Sequence, residues 1–216
     1  MVKLVSRAEK STRAAILSAA RQEFIENGLR GARMQEIADR AGINKALLHY
    51  HFRDKEGLYL AAIQSVVTTV VDQVVEPFSA HGQERTAAQR MEAMIRAYIT
   101  VLRTNPELVG MALRELADGG HHLAPLLQGI TPFVQELMAS VIEHPGAQQN
   151  AATTLHLLLN MMSMIWGSFL LQPIYTQLFP LAGIQVTLDD AFFEERIMTI
   201  TGIMQTSLGL RTGEEP

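Results

Sequence analysis

Residues 35–52, reading QEIADRAGINKALLHYHF, hold two short helical patterns parted by one glycine, and that spacing leaves the segment few ways to fold. Ile37, Ala38 and Ala41 recur at helical spacing, and Gly42 supplies the left-handed backbone that ends the first helix. Asn44 then caps a second helix. At about 100° per residue, Leu47, Leu48, His51 and Phe52 share one arc, and Lys45, Ala46, His49 and Tyr50 share the opposite one. The first arc demands burial. The second offers a cation, a small residue that permits close approach, an imidazole and a phenol, groups suited to phosphates and base edges. A pair of helices that lays its second member in the major groove of DNA fits this division. An ordinary helical hairpin with a solvated polar face fits the same window.

Charge is divided along the chain in the same sense. Residues 1–60 hold 11 Lys or Arg against 7 Asp or Glu, whereas the rest hold 7 against 15, within a formal net charge of −4. Only the amino-terminal part attracts polyanions, and phosphate binding answers to local charge rather than to the total. Lys3, Arg7, Lys10 and Arg13 form either an arm that touches backbone or minor groove, or a solvated terminus.

The stretch from about Thr12 to Leu60, above all AGINKALLHYHFRDKEGLY, resembles the DNA-binding domain of the TetR family of bacterial transcriptional regulators. The Ile-Ala pair, the Ala-Gly turn, the Leu-aromatic-aromatic-x-Phe run and Asp-Lys-Glu follow at the family's spacing. The resemblance implies that Asn44, Lys45, Ala46, His49 and Tyr50 face DNA and that Lys55 holds a phosphate at the start of helix four. Where the family often opens helix two with Thr or Ser, this chain has Ala32 and Arg33, so Arg33 replaces a hydroxyl contact by charge, and Gln35 joins it in the expected DNA-binding set. The order His49, Tyr50, His51 departs from the family's commonest one. His51 turns toward the core arc, which predicts a hydrogen-bonded buried imidazole.

The fold expected is all-α: a three-helix helix-turn-helix DNA-binding domain over residues 1–54, then a larger helical ligand-binding and dimerisation domain over 55–216. Asp54 caps a helix that runs to about Glu76, before Pro77; others span Thr86 to Arg103 and, after the restart at Asn105-Pro106, continue to Gly119-Gly120. A short piece from Leu123 to Gln128 precedes a helix from Thr131 through Val141, closed by Pro145-Gly146. A long helix follows from about Gln148 to Leu171, then a loop containing Pro173 and Pro180, then a last helix from near Asp189 to Gly209. Residues 144–188 carry no Asp, Glu, Lys or Arg, yet His156, Asn160, Ser163 and Ser168 interrupt the apolar run and no basic flank orients it, so a buried helix is expected and no membrane span.

On the long helix Thr153, His156, Asn160, Ser163 and Gly167 repeat at three-four spacing, as Phe193, Ile197, Ile200, Met204 and Ser207 do on the last. Such stripes suit either a two-fold dimer bundle, which the resemblance implies, or an internal core. Dimerisation would set the spacing of two recognition helices and favour a palindromic operator on double-stranded DNA. Nine of the 11 methionines lie beyond residue 60, and adaptable walls suit apolar ligands, although such stripes also make plain core. With the family's habit of enclosing a cavity here, Tyr98, Met111, Phe133, His156, Asn160 and Trp166 are the candidates for lining the site of a small-molecule effector. His156 and Asn160 would orient that ligand or pair across a dimer. The function expected is a repressor that a small apolar ligand releases from its operator, with a helical protein-interaction module or a motif-less enzyme as alternatives.

No Ser-His-Asp grouping, phosphate-cradling glycine loop or HExxH motif is present, so neither catalytic residues nor a cofactor is expected. His121-His122 beside Asp118 lacks a chelating spacing and reads as an exposed loop, not a metal site. The absence of cysteine and of a signal peptide points to a reducing cytoplasm.

Overall fold

A computed structural model of the chain describes residues 7–75, 86–123, 131, 135 and 151–208, and among these every regular element is helical. The elements are α1 (Arg7–Gly31), α2 (Met34–Arg40), α3 (Lys45–His51), α4 (Lys55–Val70) with a π-helical turn over Val71–Val75, α5 (Ala87–Thr104), α6 (Pro106–Ala117), α7 (Ala151–Leu170), α8 (Gln172–Leu181) and α9 (Asp190–Leu208). They form two compact units. The first joins α1–α4 with α6; the second joins the residues after Thr69, α5 and α7–α9. The expected helix end at Pro77, the piece from 124 to 128, most of the helix from Thr131 to Val141, Pro145-Gly146 and Gly209 lie outside the described residues, as do Lys3 and Phe133.

Local chemistry sets most of the boundaries. Asp54 Oδ1 accepts the Gly57 amide at 2.7 Å, Thr86 and Gln89 close a reciprocal capping box, and Asp189 Oδ1 accepts the Phe192 amide at 2.9 Å. Asn105 acts on the helix before it: its side-chain amide donates to the Val101 carbonyl at 2.9 Å and closes α5, while Pro106 opens α6. Gly119 and Gly120 take positive φ angles at the end of α6. The segment with two prolines is a helix, α8, and not the loop expected. Pro173 sits in its first turn, where a missing N–H costs nothing, and Pro180 stands next to its last residue.

In the first unit Ile16, Ala20 and Phe24 of α1, Ile37 and Ala38 of α2, Leu48 of α3 and Leu58, Tyr59 and Ile63 of α4 are buried. Phe24 meets the edge of Tyr59 with ring centroids 4.9 Å apart. Helix α6 packs along α1. At Gly110 a Cβ would lie 2.9 Å from Ile25 Cδ1, so a side chain there would make Ile25 shift. Gly28 interrupts α1 with φ 65°, and a side chain there would overlap the Arg114 guanidinium of α6. Below α4 lies a buried polar cluster that sequence patterning did not reveal. Tyr59 donates to Glu115 Oε2 at 2.8 Å, and the His122 amide donates to Glu115 Oε1 at 2.6 Å. The His122 ring stands 3.2 Å from both carboxylate oxygens and meets the edge of Tyr59. His121 stays exposed, but His122 is half-buried against this carboxylate and not in an open loop.

The second unit packs α5 on α9 and α7. Met91, Met94, Ile95, Ile99 and Leu102 meet a core completed by Met161, Ile165 and Phe169 of α7 and by Phe193, Ile197, Ile200 and Met204 of α9. Phe169 stacks on Phe193 at 5.7 Å, and the Arg103 guanidinium lies 5.1 Å from the same Phe193 ring while pairing with Asp190. The α9 stripe expected at a dimer seam is therefore internal core up to Met204. By length and composition, Lys55–Val75 is apolar enough to cross a bilayer, as is Leu155–Leu170 with Gln172–Leu181 taken as a pair bent by 65°. In the first of these, Leu58, Tyr59, Ala62, Ile63 and Val66 spend their apolar surface on the protein interior.

The Glu115 cluster predicts a pH dependence. Burial alone would raise the Glu115 carboxyl, but hydrogen bonds from the His122 amide and Tyr59 hold it below its ordinary 4.5. A carboxyl lowered on folding stabilises above its unfolded value, and that share is lost as pH falls through the folded one. In urea unfolding from pH 7 down to pH 3, the wild type should lose stability below about 4.5, and Glu115→Gln should start less stable and lose less. Parallel losses in both proteins would contradict the assignment.

Candidate nucleic-acid interface

Helix α3 is too short to stand alone, and two buried side chains orient it. Leu48 has no exposed surface and Phe52, just past the helix, keeps 6%. The Asn44 side chain accepts the Leu47 amide at 2.7 Å, and Gly42, at φ 66°, turns the chain from α2 into that cap. With these anchors set, Lys45, Ala46, His49 and Tyr50 all face water, Tyr50 with 74% of its surface exposed. An exposure this large for a tyrosine, between an exposed cation and an exposed imidazole, has no packing explanation. Nδ1 of His49 lies 3.4 Å from the Arg53 carbonyl, which leaves Nε2 outward.

The wheel is wrong at one margin. Leu47, assigned to the buried arc, is 36% exposed, because α3 has seven residues and its buried face narrows to Leu48 and Phe52. His51, expected to be buried and hydrogen-bonded, is only half-buried, because the core face of so short a helix narrows to Leu48 and Phe52, and its ring stands edge-to-face with Tyr50 at 5.4 Å.

Helix α2 opens without a side-chain cap at Arg33, and Arg33 and Gln35 are both exposed. Gln35 donates to Asp39 Oδ1 at 2.9 Å. The missing hydroxyl is offset from another helix: the buried carboxylate of Glu23 in α1 accepts the Arg33 amide at 3.2 Å and the Asn27 side chain at 3.0 Å. Arg40 at the far end of α2 pairs with Glu23 at 3.4 Å and with Glu26. Glu23 thus ties both ends of α2 to α1. Sequence reasoning missed it because its partners lie ten and seventeen residues away with no helical periodicity between them. The one signal was negative, a capping hydroxyl lacking at position 33.

Lys55 occupies the start of α4, but its Nζ donates to the Arg30 and Ala32 carbonyls at 3.0 and 3.1 Å. This neutralises the carbonyl end of α1 and leaves one of three N–H donors for a phosphate. Arg13 of α1 lies 5.4 Å from the Phe52 ring.

Of the six residues chosen for an effector site, Tyr98 and Trp166 meet in the second unit. Trp166 Nε1 donates to Tyr98 Oη at 3.1 Å, and burial pushes the Tyr98 phenol above its ordinary value. Met111 belongs to the first unit, and Phe133 lies outside the described residues. His156 and Asn160 are exposed, not buried, beside Leu155 and Leu159, each 53% exposed. The buried side of α7 is Met161, Ile165, Ser168 and Phe169, which rotates the His156 stripe outward. Among the described residues no cluster of His, Asp and Glu could hold a metal ion.

Residues 16–62 match the family model described as bacterial regulatory proteins, tetR family. The regulator RutR of Escherichia coli (strain K12) is 33% identical over 122 residues, covering 56% of this chain and 54% of RutR. The activator FasR of Mycolicibacterium smegmatis is 38% identical over 86 residues, 40% of this chain and 38% of FasR. The chain spans about half the length of the curated relatives it matches. Among solved structures, FadR of Bacillus subtilis, determined with stearoyl-CoA, aligns with a TM-score of 0.66 at 14% identity over 92% of this chain and 99% of that one, a likeness of fold alone.

Loss of the Glu23 carboxylate should loosen α2. We expect Glu23→Ala to cost about 1–3 kcal/mol in urea unfolding, the scale of a buried donor left unpaired, and Glu23→Gln to cost less because an amide oxygen still accepts from Arg33. Identical midpoints for all three proteins would remove Glu23 from this role.

Proposed function

Since the chain belongs through residues 16–62 to the TetR family of bacterial regulatory proteins, we propose that it binds a specific double-stranded operator as a homodimer and represses transcription until a small apolar effector releases it. The observation that carries this reading is the outward face of α3, where Lys45, Ala46, His49 and Tyr50 are exposed while Leu48 and Phe52 hold the opposite side. Ala46 lets the helix approach base edges; Lys45 meets phosphate; His49 and Tyr50 offer a donor or acceptor and a phenol to the groove. Asn44, Arg33, Gln35 and the remaining donor of Lys55 would fix the helix against the backbone.

A dimer places two copies of α3 one helical turn of DNA apart, about 34–36 Å, and makes the operator palindromic. Exposed Leu155 and Leu159 on α7 and exposed Met198 and Ile203 on α9 support a second copy as their cover, with His156 and Asn160 pairing across that seam. For the effector, the hydrogen-bonded Tyr98 and Trp166 are the pair of sequence candidates that the fold brings together. Such a ligand shifts the operator equilibrium only by its difference in affinity for the two forms. FasR, 38% identical over 86 residues, is an activator, and activation from the same operator is the second reading, told apart by transcription from that operator with and without the protein. Action on chromosomal DNA puts the protein in the bacterial cytoplasm, with Lys55–Val75 a core helix and no membrane partner.

Selection of bound fragments from random DNA should return a palindrome. Against that duplex, Tyr50→Ala should weaken binding about tenfold or more, the scale of one specific contact, with the far-ultraviolet spectrum unchanged. Recovery of no sequence above background, or equal affinity for Tyr50→Ala, would overturn the assignment.

A further inference from the structure

The second unit holds a cleft of about 510 Å³, open on one side, between α7, α8, α9 and the segment that joins α8 to α9. Clefts of roughly 300–1,000 Å³ hold small ligands. Its walls are mostly apolar and include Leu171, Phe179, Val186 and Phe192. One charge lines it, the guanidinium of Arg196. Tyr98, His156, Asn160 and Trp166, chosen from the sequence, do not border this space.

Arg196 is held in place by its uncharged neighbours. Its Nε donates to Ser168 Oγ at 2.8 Å and its Nη2 to the Met164 carbonyl at 3.0 Å. Ser168 is itself buried and fixed, donating to the same Met164 carbonyl at 2.9 Å, while Tyr175 Oη donates to the Ser168 carbonyl at 2.5 Å. Of the five N–H donors on a guanidinium, two are engaged. Arg96 and Arg103 of the same unit each meet a carboxylate, whereas no Asp or Glu among the described residues pairs with Arg196; Glu194 is turned to Arg96. A half-buried guanidinium oriented by two hydrogen bonds, without a counter-charge and with donors left over, is a receptor for a planar anion.

We infer that this cleft binds a monocarboxylate with an apolar body, its carboxylate on the unspent donors of Arg196 and its chain or ring along Leu171, Phe179, Val186 and Phe192. Charge complementarity selects the head, since arginine matches a carboxylate with two parallel hydrogen bonds, and the apolar walls select the tail. Binding of the carboxylate stands by itself; that it governs operator binding rests on the regulator reading above.

Titration calorimetry on the full chain with decanoate and with decanol tests the inference. Decanoate should bind once per chain, and decanol, with the same tail and no charge, about tenfold more weakly, the scale of hydrogen bonds to a charged group. Arg196→Met should bring decanoate down to the level of decanol. A Cβ at Gly167, which borders the cleft, would meet nothing within 4 Å, so Gly167→Leu projects into free space and should abolish binding with the thermal midpoint kept. Equal binding of the two probes, undiminished binding by Gly167→Leu, or no binding of decanoate would overturn the inference, the last being expected if a second copy of the chain seals the cleft. Anisotropy of the selected duplex, read beside these titrations, separates the two claims. Intact DNA binding without decanoate binding sinks the cleft alone. Decanoate binding by a chain that ignores DNA sinks the regulator alone.

Discussion

Leu48 has no exposed surface, and that burial decides which side of a seven-residue helix meets water. A helix so short has no stability of its own, so its orientation is borrowed from what it packs against. Phe52 at one end, the Asn44 cap at the other and the turn at Gly42 leave it a single seating. Every functional statement about Lys45, His49 and Tyr50 follows from that seating, since none of the three is held outward by a contact of its own strong enough to fix the helix.

The platform beneath α3 is unusually polar at its joints. Glu23 joins α1 to both ends of α2, Lys55 covers the carbonyl end of α1, and Glu115 gathers Tyr59 and His122 beneath α4. Each group is buried or half-buried, and both carboxylates are hydrogen-bonded, which is the condition under which polar interiors specify one arrangement. Removing one member leaves the others desolvated without partners. Gly28 and Gly110 add a steric constraint where α6 meets α1, because a side chain at either would displace Arg114 or Ile25.

What was legible in the sequence is what acts over one helical turn. The caps at Asn44 and Asp54, the helix starts near Thr86 and Asp189 and the turn at Gly42 stand where the spacing of residues put them. Contacts across sequence were not legible: Glu23 and Glu115 look like ordinary surface carboxylates until α2 and α4 are folded against them. The His156 and Asn160 stripe illustrates a second limit. Periodicity finds a face of a helix but cannot say whether that face turns inward, and on α7 the buried face is the neighbouring one through Met161 and Ile165. Pro173 misled for a third reason, because a proline breaks a helix in its interior and is tolerated in its first turn.

The central claim, that α3 offers a wet cationic face to a duplex, is tested most directly by the salt dependence of DNA affinity. A slope of log K against log salt well below zero, made shallower by about one when Lys45 becomes Ala, is the result that a phosphate contact from α3 requires. A flat dependence in the wild type, or the same slope in Lys45→Ala, would contradict it.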